Sequence, residues 1–463
     1  MTSSFVLSNV QALNLSKPHH SINTGIGFFD HMLDQLNSHA QVGISVQVLK
    51  SSSSDDNGSI ATTSNINSIL EDRNRHANPS ELQEELMSQV GSALGLEIRK
   101  LLPSSATKSR FCCPLDEALV ECILSMSAHG SSHSNNNSND NGDGSGVLTS
   151  FVLAPYGIYP TKTGRSRIGQ MMTIPLESFF FHLAQSSGLH ISLIKRRGNN
   201  GHHVVESAFK AFSRALRNLI DGTDIDASID NNDNSDDDDR SQNMVAMWGI
   251  NSQSYKEGID LNRAAKSSRA TKETSIDVDL KLDGGLSGVS VETGIQSLND
   301  FYDTFAKEAQ ISLNVKCNGD TWVDDHHTSE DVSIAIGNVL NTSLGTKAGL
   351  NRMWCAVAKV GEACIEVTMD LSNRPCLTHD LSLSTCGEEY IGDMSIEMFD
   401  HALLSLVENA KMTVHIIEKS KGDDMRDLML ATAAAFGKSL RLCAAVDPRR
   451  AGKTASSKGT LSA

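Results

Sequence analysis

The chain repeats itself. "TGIGFFDHMLDQLNSHAQVGISVQV" (24–48) lies over "TGIQSLNDFYDTFAKEAQISLNVKC" (293–317), and "SRIGQMMTIPLESFFFHLAQSSGLHISLI" (166–194) lies over "EYIGDMSIEMFDHALLSLVENAKMTVHII" (389–417). "SQVGSAL" (88–94) matches "IAIGNVL" (334–340), and "FKAFSRALR" (209–217) matches "AAAFGKSLR" (433–441). A repeat this long means two copies of one domain rather than a short-period solenoid. A chain of 463 residues has room for both copies. The copies occupy 1–221 and 264–463. Between them, 222–263 contains the run "DNNDNSDDDD" and reads as an acidic disordered linker. Two further polar tracts, near 51–66 and 129–147, read as solvated insertions in the first copy.

Within each copy the texture alternates. "IDVDLKL" and "ACIEVTMDL" have the period of two expected of strands. "ESAFKAFSRALRNLI" and "EDVSIAIGNVLNTSL" have the period of helices. The pattern predicts α+β domains with helices packed on one face of a sheet.

The net charge of −16 argues against broad binding to nucleic acid or anionic membranes. No apolar run approaches the 18 or so residues that span a bilayer. Nine cysteines without CxxC or zinc-ribbon spacing read as reduced thiols. The first 29 residues lack Asp and Glu but also lack Arg, so targeting is left between cytoplasm and plastid.

Two stretches carry chemistry. "GNNGHHVVESAFKAF" contains His202, His203 and Glu206, and "TWVDDHHTSEDV" contains His326, His327 and Glu330. On a helix, adjacent residues point about 100° apart, while residues three or four apart share a face. One histidine and the glutamate can therefore hold one metal while the neighbouring histidine reaches another. Mixed nitrogen and oxygen ligation suits Mn, Fe, Co or Zn more than Mg or Ca, and open positions would let the ions act as Lewis acids. Asp324, Asp325 and Asp331 either orient the imidazoles or serve as helix N-terminal charges.

"TGIGFFDHMLDQLNSHA", "DDHHTSEDV", "DLSNRP", "GNNGHHVVESAFKAFSRAL" and "DPRRAGKTASSKG" together resemble the imidazoleglycerol-phosphate dehydratase family. The resemblance covers nearly the whole chain apart from the three polar tracts. It implies two fused copies of a subunit that the family uses singly. The implied fold is α+β, each copy built of βαβ-type half-repeats with four-stranded sheets backed by helices. It implies a manganese-dependent hydro-lyase of histidine biosynthesis that converts imidazoleglycerol phosphate to imidazole acetol phosphate and water. It also implies a homo-oligomer. The family forms a shell of roughly 24 subunits, which about twelve fused chains would match.

The family's motif positions are divided between the copies. The first keeps His31, Gln35, His39, Arg167, His202, His203, Glu206 and Lys210. In the second, Asp300 stands opposite His31, Glu308 opposite His39 and Tyr390 opposite Arg167. Arg426, Asp427, Leu430 and Ala434 stand opposite His202, His203, Glu206 and Lys210. The second copy keeps Glu273, His326, His327, Glu330, Arg374, His415, Ser456 and Lys458. In the first, Ser80 and Glu81 replace the histidine pair and Ser192 replaces His415. The resemblance thus implies one composite site holding two Mn²⁺. Its ligands would be His31, His202, His203 and Glu206 from one copy and His326, His327, Glu330 and His415 from the other. Glu273 would shuttle protons. Arg167, Lys210, Arg374, Ser456 and Lys458 would bind the phosphate of a small imidazole substrate, with Gln35 and His39 assisting. The rival expectation is a catalytically inactive metal-binding partner subunit of the same fold. His379 and the pair His19-His20 match no motif position and read as ordinary surface or turn histidines, and "PLDEALVEC" (114–122) reads as a core strand.

Overall fold

The computed structural model describes residues 5–14, 21–50, 79–104, 107–126, 149–222, 263–283, 285, 288–450 and 452–461. The expected linker interior, both polar insertions and His19-His20 lie outside the described residues. The chain divides into two compact units, Met1–Phe111 with Ala118–Trp248, and Cys112–Glu117 with Gly249–Ala463. The short segment Cys112–Glu117 thus groups with the second unit although it lies in the first copy of the sequence.

The first copy runs β1 (Phe5–Asn14), β2 (Ile22–Asn23), α1 (Gly27–Gln35), β3 (Val42–Lys50), α2 (Pro79–Arg99), β4 (Lys108–Leu115), β5 (Ala118–Met126) and β6 (Thr149–Val152). It continues with β7 (Arg167–Ile168), β8 (Met171–Met172), α3 (Pro175–Ser187), β9 (Leu189–Arg197) and α4 (Gly201–Asp221). The second copy runs β10 (Ala264–Ala270), β11 (Thr274–Lys281), β12 (Val289–Glu292), α5 (Gln296–Ala309), β13 (Ser312–Gly319) and α6 (His326–Leu344). Then come β14 (Met353–Val360), β15 (Ala363–Asp370), β16 (Cys376–His379), β17 (Tyr390–Ile391), β18 (Met394–Ser395), α7 (Ile396–Ala410), β19 (Thr413–Ser420) and α8 (Met425–Ala444).

Each half-repeat is a βαβ unit. A short edge strand leads through a helix to a long strand that it pairs in parallel: β2–β3, β6–β9, β12–β13 and β16–β19. The sheets have the orders β1-β3-β2, β4-β5-β9-β6, β10-β11-β13-β12 and β14-β15-β19-β16. Three are four-stranded as the sequence implies. The first has three strands among the described residues, none of them a counterpart of β10. That difference bears on the site, because Glu273 sits in the turn joining β10 to β11.

The helices form the layer between the sheets of each unit. In the second, α6 packs on α7 and α5 on α8, while α6 contacts β11 and α8 contacts β14 and β15. In the first, α2 packs on α3 and α1 on α4, and α4 lies on β5. The helix layer carries both cores. Phe179 and Phe209 stack at 5.7 Å between α3 and α4, and Phe305 and Phe436 meet edge-on at 5.8 Å between α5 and α8. All four rings are buried, each contributing about 2–3 kcal/mol of apolar burial. "PLDEALVEC", expected as one core strand, is instead a hairpin. Asp116 takes a left-handed conformation (φ 49°) and turns the chain between β4 and β5.

Candidate metal centres

The start of α1 is fixed by its own sequence. Asp30 Oδ1 accepts hydrogen bonds from Thr24 N (2.8 Å) and Thr24 Oγ1 (2.6 Å), so "TGIGFFD" closes a loop just before His31. In the second copy Asn299 accepts the same two bonds from Thr293, at 2.9 and 2.7 Å. The scaffold is duplicated while the residue after it changes from His31 to Asp300. α4 starts with Asn200 Oδ1 accepting from His202 N at 3.0 Å. It ends at Gly222 in the left-handed region (φ 70°), which closes the last turn without a Cβ clash. The cap places His202 and Glu206 four residues apart on one face, opposite His31.

His31, His202 and Glu206 offer three ligand atoms within 4.8 Å of one another. His202 Nε2 is 3.1 Å and His31 Nε2 4.0 Å from Glu206 Oε2. Lys210 Nζ sits 2.8 Å from the other oxygen, Oε1. Burial alone would raise the Glu206 pKa. Its bond to His202 and the charge of Lys210 overcome that and hold the carboxyl well below the usual carboxylate range. Burial lowers the pKa of His31, which favours the neutral imidazole that a metal needs.

The second unit builds a matching trio from His326, Glu330 and His401, again within 4.8 Å. His326 Nε2 is 3.7 Å from Glu330 Oε2, and His401 Nε2 is 3.2 Å from Glu330 Oε1. Asp324 Oδ1 accepts from His326 N at 3.0 Å, which sets the start of α6. Ser395 Oγ caps α7 by accepting from Met398 N at 3.3 Å. Two imidazoles and a carboxylate form a donor set suited to a first-row transition metal.

His401 was missed by sequence reasoning. The signal was present: "FDHML" (29–33) and "FDHAL" (399–403) place a histidine after the same Phe-Asp pair. The aligned repeats hide it, because that alignment sets His401 opposite Ser178. His415, expected as the eighth ligand, belongs to neither trio. It is fully buried on β19, as are its neighbours Val414 and Ile416, with Nε2 2.8 Å from the Asp116 carbonyl oxygen.

His203 and His327 also stand outside the trios, because neighbours on a helix face different ways. His327 has its own setting. Its Nδ1 lies 3.0 Å from Asp320 Oδ2, and its Nε2 lies 4.0 Å from Glu273 Oε1. The Asp320 bond, followed by the charge of Glu273, raises the His327 pKa. The orienting carboxylate is therefore Asp320. Asp325 instead accepts from Ser395 N at 2.6 Å, and Asp331 accepts from Thr274 Oγ1 at 2.6 Å and pairs with Arg269.

Of the expected phosphate residues, Arg167 is exposed on β7. Lys210 is buried against Glu206. Arg374 donates from Nε to Asp116 Oδ1 at 2.8 Å. Lys458 is exposed near the C-terminus, with its backbone N bonded to Ser456 Oγ at 3.1 Å. Gln35 and His39 are both fully buried at the end of α1 and in the wide π-type turn after it. His379 is more than a turn histidine. Its Nε2 is 2.8 Å from Asp400 Oδ1, and it lines a cavity of about 370 Å³ together with His326 and His401.

Three of the positions opposite trio histidines make protein contacts instead. Asp300 and Arg426, opposite His31 and His202, form an ion pair at 2.5 Å. Ser178, opposite His401, hydrogen-bonds Ser88 across α2 and α3 at 2.7 Å.

Comparison with known proteins places matches to one family in both copies. The family model for imidazoleglycerol-phosphate dehydratase matches residues 83–216 and again 293–440. The chloroplastic imidazoleglycerol-phosphate dehydratase of Pisum sativum is 40% identical over 201 residues, which are 43% of this chain and 69% of that protein. The imidazoleglycerol-phosphate dehydratase of Synechococcus elongatus is 39% identical over 199 residues, 43% of this chain and 93% of that protein. The crystal structure of the enzyme from Staphylococcus aureus aligns at a TM-score of 0.35 and 25% identity, over 40% of this chain and 99% of that one. No helix among the described residues is long and apolar enough to cross a membrane. With a double match to one family and a histidine–carboxylate trio in each of its two units, the chain belongs to the imidazoleglycerol-phosphate dehydratase family.

Proposed function

We propose that this chain is an imidazoleglycerol-phosphate dehydratase whose active site draws on both copies of the repeat. The observation that carries this reading is the pair of matching trios, His31/His202/Glu206 and His326/Glu330/His401. Each combines a Phe-Asp-His histidine with the first histidine and the glutamate of an HHxxE helix. The ligands lost elsewhere are replaced by an ion pair and a hydroxyl pair, which fits division of labour better than decay. Two Mn²⁺ per site is the occupancy we assign. His203 and His327 would complete the coordination from neighbouring copies, within one chain or between chains. His401 takes the place expected for His415.

The two trios would hold the ions, which would supply Lewis acidity that makes the substrate's imidazole ring an electron sink. The other steps fall to the side chains. The hydroxyl on the carbon next to the ring leaves as water with the proton of the ring nitrogen, and Glu273, exposed and beside His327, takes the proton from the neighbouring carbon to give the enol. Glu273 then returns a proton as the enol becomes the ketone. Arg167, Lys210, Arg374, Ser456 and Lys458 hold the phosphate, for which a cluster of cations and donors is suited. Gln35 and His39 support this pocket from beneath. An assembly of about twelve chains would reproduce the family's shell. The chloroplastic and cyanobacterial relatives fit either plastid or cytoplasm.

The test is turnover of imidazoleglycerol phosphate by Mn²⁺-loaded protein. Loss of turnover in His31→Ala alone and in His326→Ala alone supports a composite site. Full turnover in either variant refutes it. A folded, metal-bound wild-type protein without turnover is the inactive partner subunit instead.

A further inference from the structure

The two trios are built alike but charged differently. In the first, Glu206 presents Oε2 to His202 and His31 while Oε1 is held by Lys210 at 2.8 Å. The lysine and glutamate side chains are only 6% and 9% exposed, so water does little to screen that ammonium. In the second, one turn beyond Glu330 stands Ile334. There both carboxylate oxygens face imidazoles, at 3.7 and 3.2 Å, and the side chain is 35% exposed. A cation entering the first trio meets a carboxylate already half neutralised, with a second positive charge one turn away. A cation entering the second meets a carboxylate whose side-chain partners among the described residues are the imidazoles of His326 and His401, with no ammonium beside them.

We infer that Lys210 is a positioning residue that makes the two metal groups unequal. It restricts Glu206 to one free oxygen and weakens metal binding at His31/His202/Glu206. The His326/Glu330/His401 group therefore fills first. This rests on the metal-binding reading above and gives Lys210 a duty separate from phosphate. The physical basis is competition: the lysine and the ion claim the same buried carboxylate, and each opposes the other.

The experiment is a Mn²⁺ titration of the chelator-stripped full chain, followed by the electron-paramagnetic-resonance signal of free Mn²⁺. Wild-type protein should show two affinity classes. Glu206→Gln should remove the weaker class and Glu330→Gln the tighter one. Lys210→Met should tighten the weaker class about tenfold or more and leave the other unmoved. Lys210→Arg, which keeps the charge, should behave as wild type. Because Lys210→Met takes the ammonium from Oε1 of the buried Glu206 carboxylate, its apo form should melt lower and gain more from Mn²⁺ than wild type does. A weaker class that Lys210→Met leaves unchanged or weakens overturns the inference, as does loss of the tighter class in Glu206→Gln. Folded protein that binds no Mn²⁺ in either class overturns the metal-binding reading itself.

Discussion

Asp320 and Glu273 bracket His327: one carboxylate lies 3.0 Å from Nδ1 and the other 4.0 Å from Nε2. Asp320 is 7% exposed and is tied to the β10–β11 turn, since its backbone N bonds the Glu273 carbonyl at 3.1 Å. The bond to Nδ1 keeps a proton there and leaves Nε2 as the ring atom facing Glu273. Asp320→Asn keeps the shape and removes the charge. It should lower kcat/KM, or the Mn²⁺ affinity of the site that uses His327, by about tenfold to a hundredfold. Glu273→Gln should instead lower kcat by roughly a hundredfold or more with metal binding unchanged. Steady-state kinetics beside a metal titration separates the two.

His401 and His415 divide what the sequence assigns to one residue. His401 faces Glu330 at 3.2 Å, whereas His415 is fully buried beside the Asp116 carbonyl. His401→Ala should remove one metal class and abolish turnover, with little change in apo stability. His415→Ala should keep both classes and cost about 2–3 kcal/mol, because it empties a fully buried position and removes the ring's hydrogen bond to the Asp116 carbonyl. Metal counting with denaturant unfolding decides between these roles. A lost metal class in His415→Ala would restore it to the ligand set.

Much of this was legible before any coordinates. The duplication, the α+β texture and four of the six trio ligands follow from spacing and repeat alignment, and the family resemblance adds His31. The rest was hidden by three physical causes. Aligning the copies compares equivalent positions, and that comparison is blind when complementary loss leaves His401 opposite a serine. A strand histidine such as His415 has one of two faces, and here both are buried, since Val414, His415 and Ile416 are all covered. Asp320 precedes the HHxxE motif by a loop, and only the bend of that loop brings it to the His327 ring. What the alignment does predict, and the structure pairs, is the substitution of His31 and His202 by Asp300 and Arg426.

Gly337 lies where α6 crosses α7, aligned with Gly91 in the first copy. A Cβ there would stand 2.8 Å from the Leu406 carbonyl oxygen and 3.0 Å from Ala410 N, both backbone atoms. The helices must separate to admit it. α6 carries His326 and Glu330, and α7 carries His401, so the same movement pulls the trio apart. Gly337→Ala should destabilise the chain by about 1–3 kcal/mol and weaken the metal class assigned to that trio. The matched change Gly345→Ala, at a position with open space around its Cβ, carries strain from its φ of 55° but should leave metal affinity alone. Equal effects on metal binding from both variants would break the proposed link between the helix crossing and the site.

Lys347 gives the fold a measurable pH dependence. It is 1% exposed, and its Nζ donates to Asn373 Oδ1 at 2.5 Å. Burial, partly offset by Asp370, lowers its pKa to about 8. In the unfolded chain the ammonium titrates near its ordinary value of about 10.4. Between those two values the unfolded state binds more protons than the folded state, so raising the pH through this window favours folding. Below the window the folded protein carries a buried charge at a cost. Wild-type stability measured against Lys347→Met should therefore rise by up to about 3 kcal/mol between pH 8 and pH 10. Taking the difference between the two proteins cancels the tyrosines and cysteines that titrate in the same range. Urea unfolding at half-unit pH steps reads it directly, and a flat difference would mean that the Lys347 ammonium is solvated in the native protein.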